Sequence, residues 1–259
     1  RFSQDSRVAV MSYRSWALWY LGYPDAALRD AKHALEYARE VRQAATLMYA
    51  LFHASLPQIH CGHYATADAL LDELVALADE KGSLFWKAFG RLAQGSVLAL
   101  TGKASDAVKM ITSGLGEFRS TGSTLLVPTH LSYLARAYGE LDQFDDAWRC
   151  IDEGMAAVEK TRETWGHADL HRIAGKLALM SRPPDAAKAE ACFDRALAIA
   201  RAQQARSWEL LAATSMAELW LAQGKQKEAR ELLAPIYGWF TEGFDTLDLR
   251  RARKLLDAP

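Results

Sequence analysis

Apolar residues recur along this chain at the three- and four-residue steps of amphipathic helices. Leu28, Ala31, Ala34, Leu35 and Ala38 make one such stripe, and Leu70, Leu71, Leu74, Leu77 and Ala78 make another. Leu131, Leu134, Ala135 and Tyr138 repeat the spacing ahead of a polar turn. No sustained alternation of β-branched residues occurs, and no Asn-Gly or Asp-Gly hairpin joins such runs, so the pattern predicts an all-α fold.

The polar turns between these stripes share a plan. They read Gly22-Tyr-Pro-Asp-Ala-Ala27, Gly62-His-Tyr-Ala-Thr-Ala67, Gly102-Lys-Ala-Ser-Asp-Ala107, Asp142-Gln-Phe-Asp-Asp-Ala147 and Gly224-Lys-Gln-Lys-Glu-Ala229, with Pro183-Pro-Asp-Ala-Ala-Lys-Ala189 as an irregular sixth. The closing alanines stand at 27, 67, 107, 147, 189 and 229, a period of 40 interrupted by one step of 42. A period in this range is the signature of a stacked repeat, because a single helix pair cannot bury its apolar face alone. Glycine at the turn suits a left-handed helix terminus, and Asp142 is a poorer occupant of the same place. The alanine then falls in the first turn of the second helix, where a small side chain lets two antiparallel helices approach.

These readings predict a right-handed α-α superhelix of about six helix pairs in one domain, 1–259. The pairs are expected at 8–40, 44–80, 85–119, 125–160, 166–203 and 207–237, with a tail and capping helix over 238–259.

The turn-alanine pattern followed by Phe193, Ala196 and Leu197 resembles the tetratricopeptide repeat, whose usual period is shorter. A further resemblance rests on Trp16-Ala-Leu-Trp-Tyr-Leu-Gly-Tyr-Pro-Asp, Leu170-His-Arg, Ala189-Glu-Ala-Cys-Phe-Asp-Arg-Ala-Leu and Tyr237-Gly-Trp-Phe-Thr-Glu-Gly-Phe-Asp-Thr-Leu-Asp-Leu. These segments are similar to the C-terminal repeat region of bacterial proteins that join a class III nucleotide cyclase domain to an AAA-type signalling ATPase. Leu247 departs from that pattern, where a small or prolyl residue is expected. The resemblance implies a regulatory or assembly region, with cyclase and ATPase chemistry on upstream segments. The opening Arg1-Phe2-Ser3, in place of Met, fits a piece of a longer polypeptide.

Composition narrows the partners. With 31 Lys and Arg against 32 Asp and Glu, the formal charge is -1, so no uniform basic field attracts nucleic acid or anionic lipid. No apolar run is long enough to span a bilayer. Cys61, Cys150 and Cys192 are odd in number and widely spaced, which fits reduced thiols in the cytoplasm. No Gly-x-Ser-x-Gly elbow or Gly-rich phosphate loop occurs, so the chain is expected to be non-catalytic and to carry no cofactor.

Three residue groups remain as candidates. Register places Trp16, Trp19, Tyr20, Tyr49, Phe52 and Phe89 on or near a wall made by the first helices, with Arg136, Arg172 and Lys176 in comparable places further along. Such a wall would be aromatic at one end and basic at the other, suiting a protein or peptide segment, or upstream domains of the same polypeptide. The aromatics equally suit a packed core. The second group is His53, His60, Cys61 and His63, together with His167, Asp169 and His171. These residue types bind zinc, yet neither set has a four-ligand spacing, so no metal is expected. The third is Arg172, Glu190, Arg195 and Glu209, expected as an ion-pair network between neighbouring repeats or as a ligand patch. The sequence thus favours a protein-interaction and regulatory array, with a ligand-sensing superhelix as the alternative.

Overall fold

The computed structural model describes residues 4–257. Its helices run in order α1 (Ser6–Tyr20), α2 (Pro24–Val41), α3 (Ala44–Cys61), α4 (Tyr64–Glu80), α5 (Leu84–Leu100), α6 (Ala104–Ser120), α7 (Val127–Glu140), α8 (Phe144–Thr161), α9 (His167–Met180), α10 (Ala186–Ala202), α11 (Arg206–Ala222), α12 (Gln226–Tyr237) and α13 (Leu247–Leu256). No strand occurs among the described residues. The order is six helix pairs and a terminal helix, a fold of the tetratricopeptide-repeat type.

One alanine recurs at the fourth residue of every second helix. Ala27, Ala67, Ala107, Ala147, Ala189 and Ala229 are all buried. The N–H of each donates to the carbonyl four residues back, closing the first helical turn, as from Ala67 to His63 at 3.0 Å and from Ala107 to Lys103 at 2.9 Å. The same residue therefore starts the helix and sits where it is most closely packed.

The turns follow a finer rule than the 40-residue repeat. Left-handed backbone occurs at Gly22, Arg42, Gly62, Gly82, Gly102, Gly122, Asp142 and Arg162, one every 20 residues, and then at Gln204 and Gly224. At seven of these turns the next residue donates to the carbonyl five residues back, as His63 does to Gln58 at 2.8 Å and Gln143 to Tyr138 at 2.9 Å. That bond ties up a carbonyl the helix end leaves open. The step of 42 comes from the turn after α9, where Ser181 and a cis Arg182-Pro183 bond replace the left-handed residue. Asp185 then caps α10 by accepting the Lys188 N–H at 2.9 Å.

Packing divides the chain into two compact units where the sequence suggests one domain. Among the described residues, one holds 4–19 and 23–124; the other holds 20–22 and 125–257. In the first unit the core is aromatic. Phe52 stacks on Phe89 at 3.8 Å, Phe89 on Phe118 at 4.8 Å, and Trp16 on His53 at 4.7 Å.

In the second unit α7 packs on α9, α9 on α11 and α11 on α13, which makes a layer of first helices closed by the terminal helix. α13 also packs on α12, burying Leu249 and Ala252 in a cluster with Leu210, Leu233, Ile236 and Phe240. Its outward positions Arg250, Arg251, Arg253 and Lys254 are exposed, as a cap over an apolar stacking face requires. The connection into α7 is held by Glu163, whose carboxylate accepts the N–H of left-handed Leu126 at 2.9 Å.

Candidate functional site

The aromatic end of the expected wall lies inside the protein. Trp16, Trp19, Tyr49, Phe52 and Phe89 are all buried. They pack ring on ring between helices: Trp16 also donates its indole N–H to the His53 carbonyl at 3.1 Å, and Trp19 stacks on His60 at 4.1 Å. Tyr20 falls in the second unit, edge-on to Trp165 and Trp208. The expectation of an open aromatic surface is corrected for these five. α3 and α5 have neighbouring helices on several sides, so almost every apolar position on them finds a packing partner.

Of the candidate histidines, His53 is buried, His60, His167 and His171 are half-buried, and His63 is exposed. His53 Nδ1 lies 2.8 Å from the Tyr49 carbonyl, and the ring is stacked on Tyr49 at 3.8 Å. Burial pushes its pKa down to about 4, against the Tyr49 hydrogen bond. His63 Nδ1 contacts Gln58 Oε1 at 3.0 Å, and His167 and His171 face each other at 5.2 Å. Among the described residues no three His, Cys, Asp or Glu side chains gather to hold a metal ion.

The expected network of Arg172, Glu190, Arg195 and Glu209 separates into independent contacts. Arg172 pairs with Asp169 at 2.6 Å, Glu209 with Arg201 and Arg206 at 2.8 and 2.7 Å, and Glu190 accepts the Trp220 indole N–H at 2.9 Å. Arg195 lies instead beside His167 and His171, where its charge adds to burial in lowering both histidines. Sequence spacing missed Asp169, Arg201 and Arg206 as the partners. Two of the pairs, Asp169 with Arg172 and Arg206 with Glu209, are i,i+3 neighbours within one helix and were legible by helical geometry.

Arg136, Arg172 and Lys176 are brought together on the first-helix layer of the second unit, and the structure adds acids to them. Arg136 on α7 pairs with Glu140 at 3.0 Å, Arg172 on α9 with Asp169, and Arg251 on α13 with Glu218 on α11. Asp169 is itself buried and accepts from the Ser132 hydroxyl at 3.4 Å. Arg172 is buried too, which disfavours its charge, and the Asp169 carboxylate outweighs that and holds its pKa above the ordinary value. Each guanidinium thus has a carboxylate of its own.

Lys176 does not. It is half-buried, and among the described residues no acid lies within salt-bridge reach. Burial first, then the charges of Arg172, Arg251 and Arg136, bring its pKa down to about 7, with Glu218 opposing. Asp248 on α13 is the matching acid without a direct partner. Burial raises it to about 6, against the pull of Arg172, Arg251 and Lys176. The layer therefore carries two desolvated, opposite, singly placed charges among three satisfied pairs. Elsewhere in the unit, a cleft of about 210 Å³ opens between α11, α12 and α13 over Ala217 and Ala229, beside Lys227 and Arg230.

No family model matches the sequence, and no curated protein matches it. Solved structures do. The aspartyl phosphate phosphatase F of Bacillus subtilis superposes with a TM-score of 0.63 at 12% identity, over 95% of this chain and 62% of its own. A Rap protein complexed with Competence and Sporulation Factor gives 0.63 at 12% identity, over 96% and 72%, and the apo form of RapI gives 0.63 at 13%, over 98% and 86%. The chain spans less than two thirds of the first of these. At such identities the likeness is one of fold.

Proposed function

We propose that this chain is a non-catalytic protein-interaction and regulatory array, and that it serves a larger signalling protein of the cyclase or ATPase type. The observation that carries the reading is the charged first-helix layer of the second unit. Its buried, hydrogen-bonded Asp169–Arg172 pair is fixed, while Lys176 and Arg136 remain within reach of solvent. A rigid layer of helices bearing a few reachable, desolvated charges is what a helical repeat offers to a partner segment. One of the similar folds is described in complex with Competence and Sporulation Factor, which supports ligand recognition by this architecture without transferring that ligand here.

Two measurements test the proposal. Immunoblotting of the source cell with an antibody to this chain should give a band several-fold heavier than 28.8 kDa if it belongs to a multidomain signalling protein. Cross-linking with mass spectrometry in that cell should then place partner peptides on α7, α9 and α11. Cross-links confined to other surfaces would overturn the role of this layer, and a band near 28.8 kDa would leave a free-standing adaptor.

A further inference from the structure

We infer that the cleft between α11, α12 and α13 receives one large apolar side chain from a partner protein segment, with an acidic residue beside it meeting Arg230. The cleft shares no lining residue with the charged first-helix layer, so it is a second surface that stands independently of the first.

The cleft follows from the length of the terminal helix. α13 packs on α11 and α12 as α5 packs on α3 and α4, and as α11 packs on α9 and α10. It has 10 residues, against 17 in α5, 14 in α9 and 17 in α11. At least one helical turn, about 5 Å, is therefore wanting from the place a first helix fills elsewhere. The gap opens at the last residues of α13. Leu255 and Leu256 form one wall, Leu221 at the end of α11 a second and Leu233 of α12 a third, over the small side chains of Ala217 and Ala229. Leu221, Leu255 and Leu256 are only half-buried, so the apolar walls are reachable from solvent.

Size selects a side chain over a whole small molecule. The volume is about 210 Å³. Sites for drug-sized ligands run to roughly 300–1,000 Å³, whereas an apolar cavity of about 150 Å³ takes a single benzene ring. One aromatic or large aliphatic side chain fills such a space, in the manner of an interface anchor.

Charge selects what accompanies it. The charged residues lining the cleft are Lys227 and Arg230, and no acid lines it. Glu231 answers Lys227 at 3.7 Å across two largely exposed side chains, and Asp257 answers Arg253 at 3.4 Å. Glu228 and Lys254, both exposed and outside the lining, offset each other in sign. Arg230 is exposed, and among the described residues it has no carboxylate of its own. A segment carrying an acid next to its apolar anchor supplies the missing counter-charge, which orients the segment and disfavours a basic one.

Titration of the methyl-labelled chain with blocked peptides tests this directly by nuclear magnetic resonance. The peptide Glu-Glu-Phe-Glu-Glu should shift the methyl signals of Leu221, Leu255 and Leu256. Replacing its Phe by Ala should weaken binding about tenfold, the effect of leaving the ring unburied. Replacing its acids by Lys should weaken binding about threefold or more. Arg230→Glu should abolish or reverse that preference, and Leu221→Trp, which fills the cleft, should abolish binding, both with helicity unaltered.

Absence of methyl shifts, or equal affinity for the acidic and basic peptides, would overturn the inference. Hydrocinnamate binding as tightly as the pentapeptide would make this a small-carboxylate site instead. Methyl shifts that change on dilution of the free chain would make a second copy the occupant, and contacts from residues beyond Asp257 to Leu221 would make it the chain's own end. Cellular cross-links that avoid α7, α9 and α11 while the peptide still binds would sink the role of the first-helix layer and leave this cleft standing.

Discussion

Phe52 on α3 and Phe89 on α5 stack with ring centroids 3.8 Å apart and planes inclined by 23°, so that two successive helix pairs share one aromatic contact. Both rings are essentially inaccessible to solvent. Phe89→Ala should destabilise the chain by ~3–5 kcal/mol, through lost burial and the cavity left among Phe52, Phe85 and Phe118. Phe89→Leu, which keeps most of the volume, should cost ~1–1.5 kcal/mol. Urea unfolding monitored by circular dichroism separates the two values.

Gly175 faces Phe193 where α9 and α10 cross, and a methyl group at 175 would overlap that ring. Gly175→Ala is expected to cost ~1–3 kcal/mol, since Phe193 is itself buried and has nowhere to move. Gly102→Ala meets nothing within 4 Å and strains only a backbone at φ +78°, so its cost should stay near ~1 kcal/mol. Equal losses in the two variants would mean that crowding at the helix crossing is not what selects glycine.

Arg162 holds a left-handed conformation, φ 60°, that L side chains adopt at a cost. Arg162→Gly should raise the unfolding free energy by up to ~1 kcal/mol, because the turn needs the conformation and not the side chain. Arg42→Gly, at φ 56°, should behave alike. A fall in melting temperature in both would show that the arginines contribute contacts larger than this strain.

Acid should weaken the fold at pH values above the ordinary carboxylate range. His53 has its pKa lowered from 6.5 to about 4, and His130 and His171 are lowered by burial to about 3 and about 4. The unfolded chain accepts these protons near pH 6.5 while the folded chain refuses them, so stability is complete above that pH and declines as pH falls toward 4. Buried His53 alone can account for up to roughly 3 kcal/mol of that loss. Melting temperature measured from pH 8 to 4 should fall through this window, and His53→Leu should flatten the decline.

Breaking the buried pair is a separate test of the charged layer. Asp169→Asn leaves Arg172 inside the unit with its counter-charge removed, and a loss of ~3–5 kcal/mol is expected. Replacing both residues by apolar ones of similar size should recover much of it. Chemical denaturation of the single and double variants decides the matter.

The helix pairs were legible because the signal that marks them is chemical as well as structural: Ala147 and Ala189 are small for the same reason that the chain can fold tightly there. The second set of turns was hidden. Arg42, Arg162 and Gln204 occupy left-handed positions with no glycine to announce them, and the geometry is imposed by the helices they join. Exposure along the expected wall was not legible. On α3, Tyr49, Phe52 and His53 are buried along with Met48, Leu51 and Ile59, so the buried face runs almost around the helix and no apolar stripe distinguishes wall from core. Asp248 lay in a segment read for its aromatic order, and its approach to Lys176 depends on α13 folding back over α11, which no local pattern encodes.

A backbone that returns to the same conformation every 20 residues has interchangeable joints. Cutting at Gly62 and rejoining at Gly102 removes one 40-residue period, α4 with α5, and meets nearly the same turn geometry, φ 83° against 78°, with an alanine five residues on in either case. Gene segments of 120 nucleotides could thus be duplicated or lost in frame without creating a mismatched splice, which makes the length of this array the property that heredity can most readily vary.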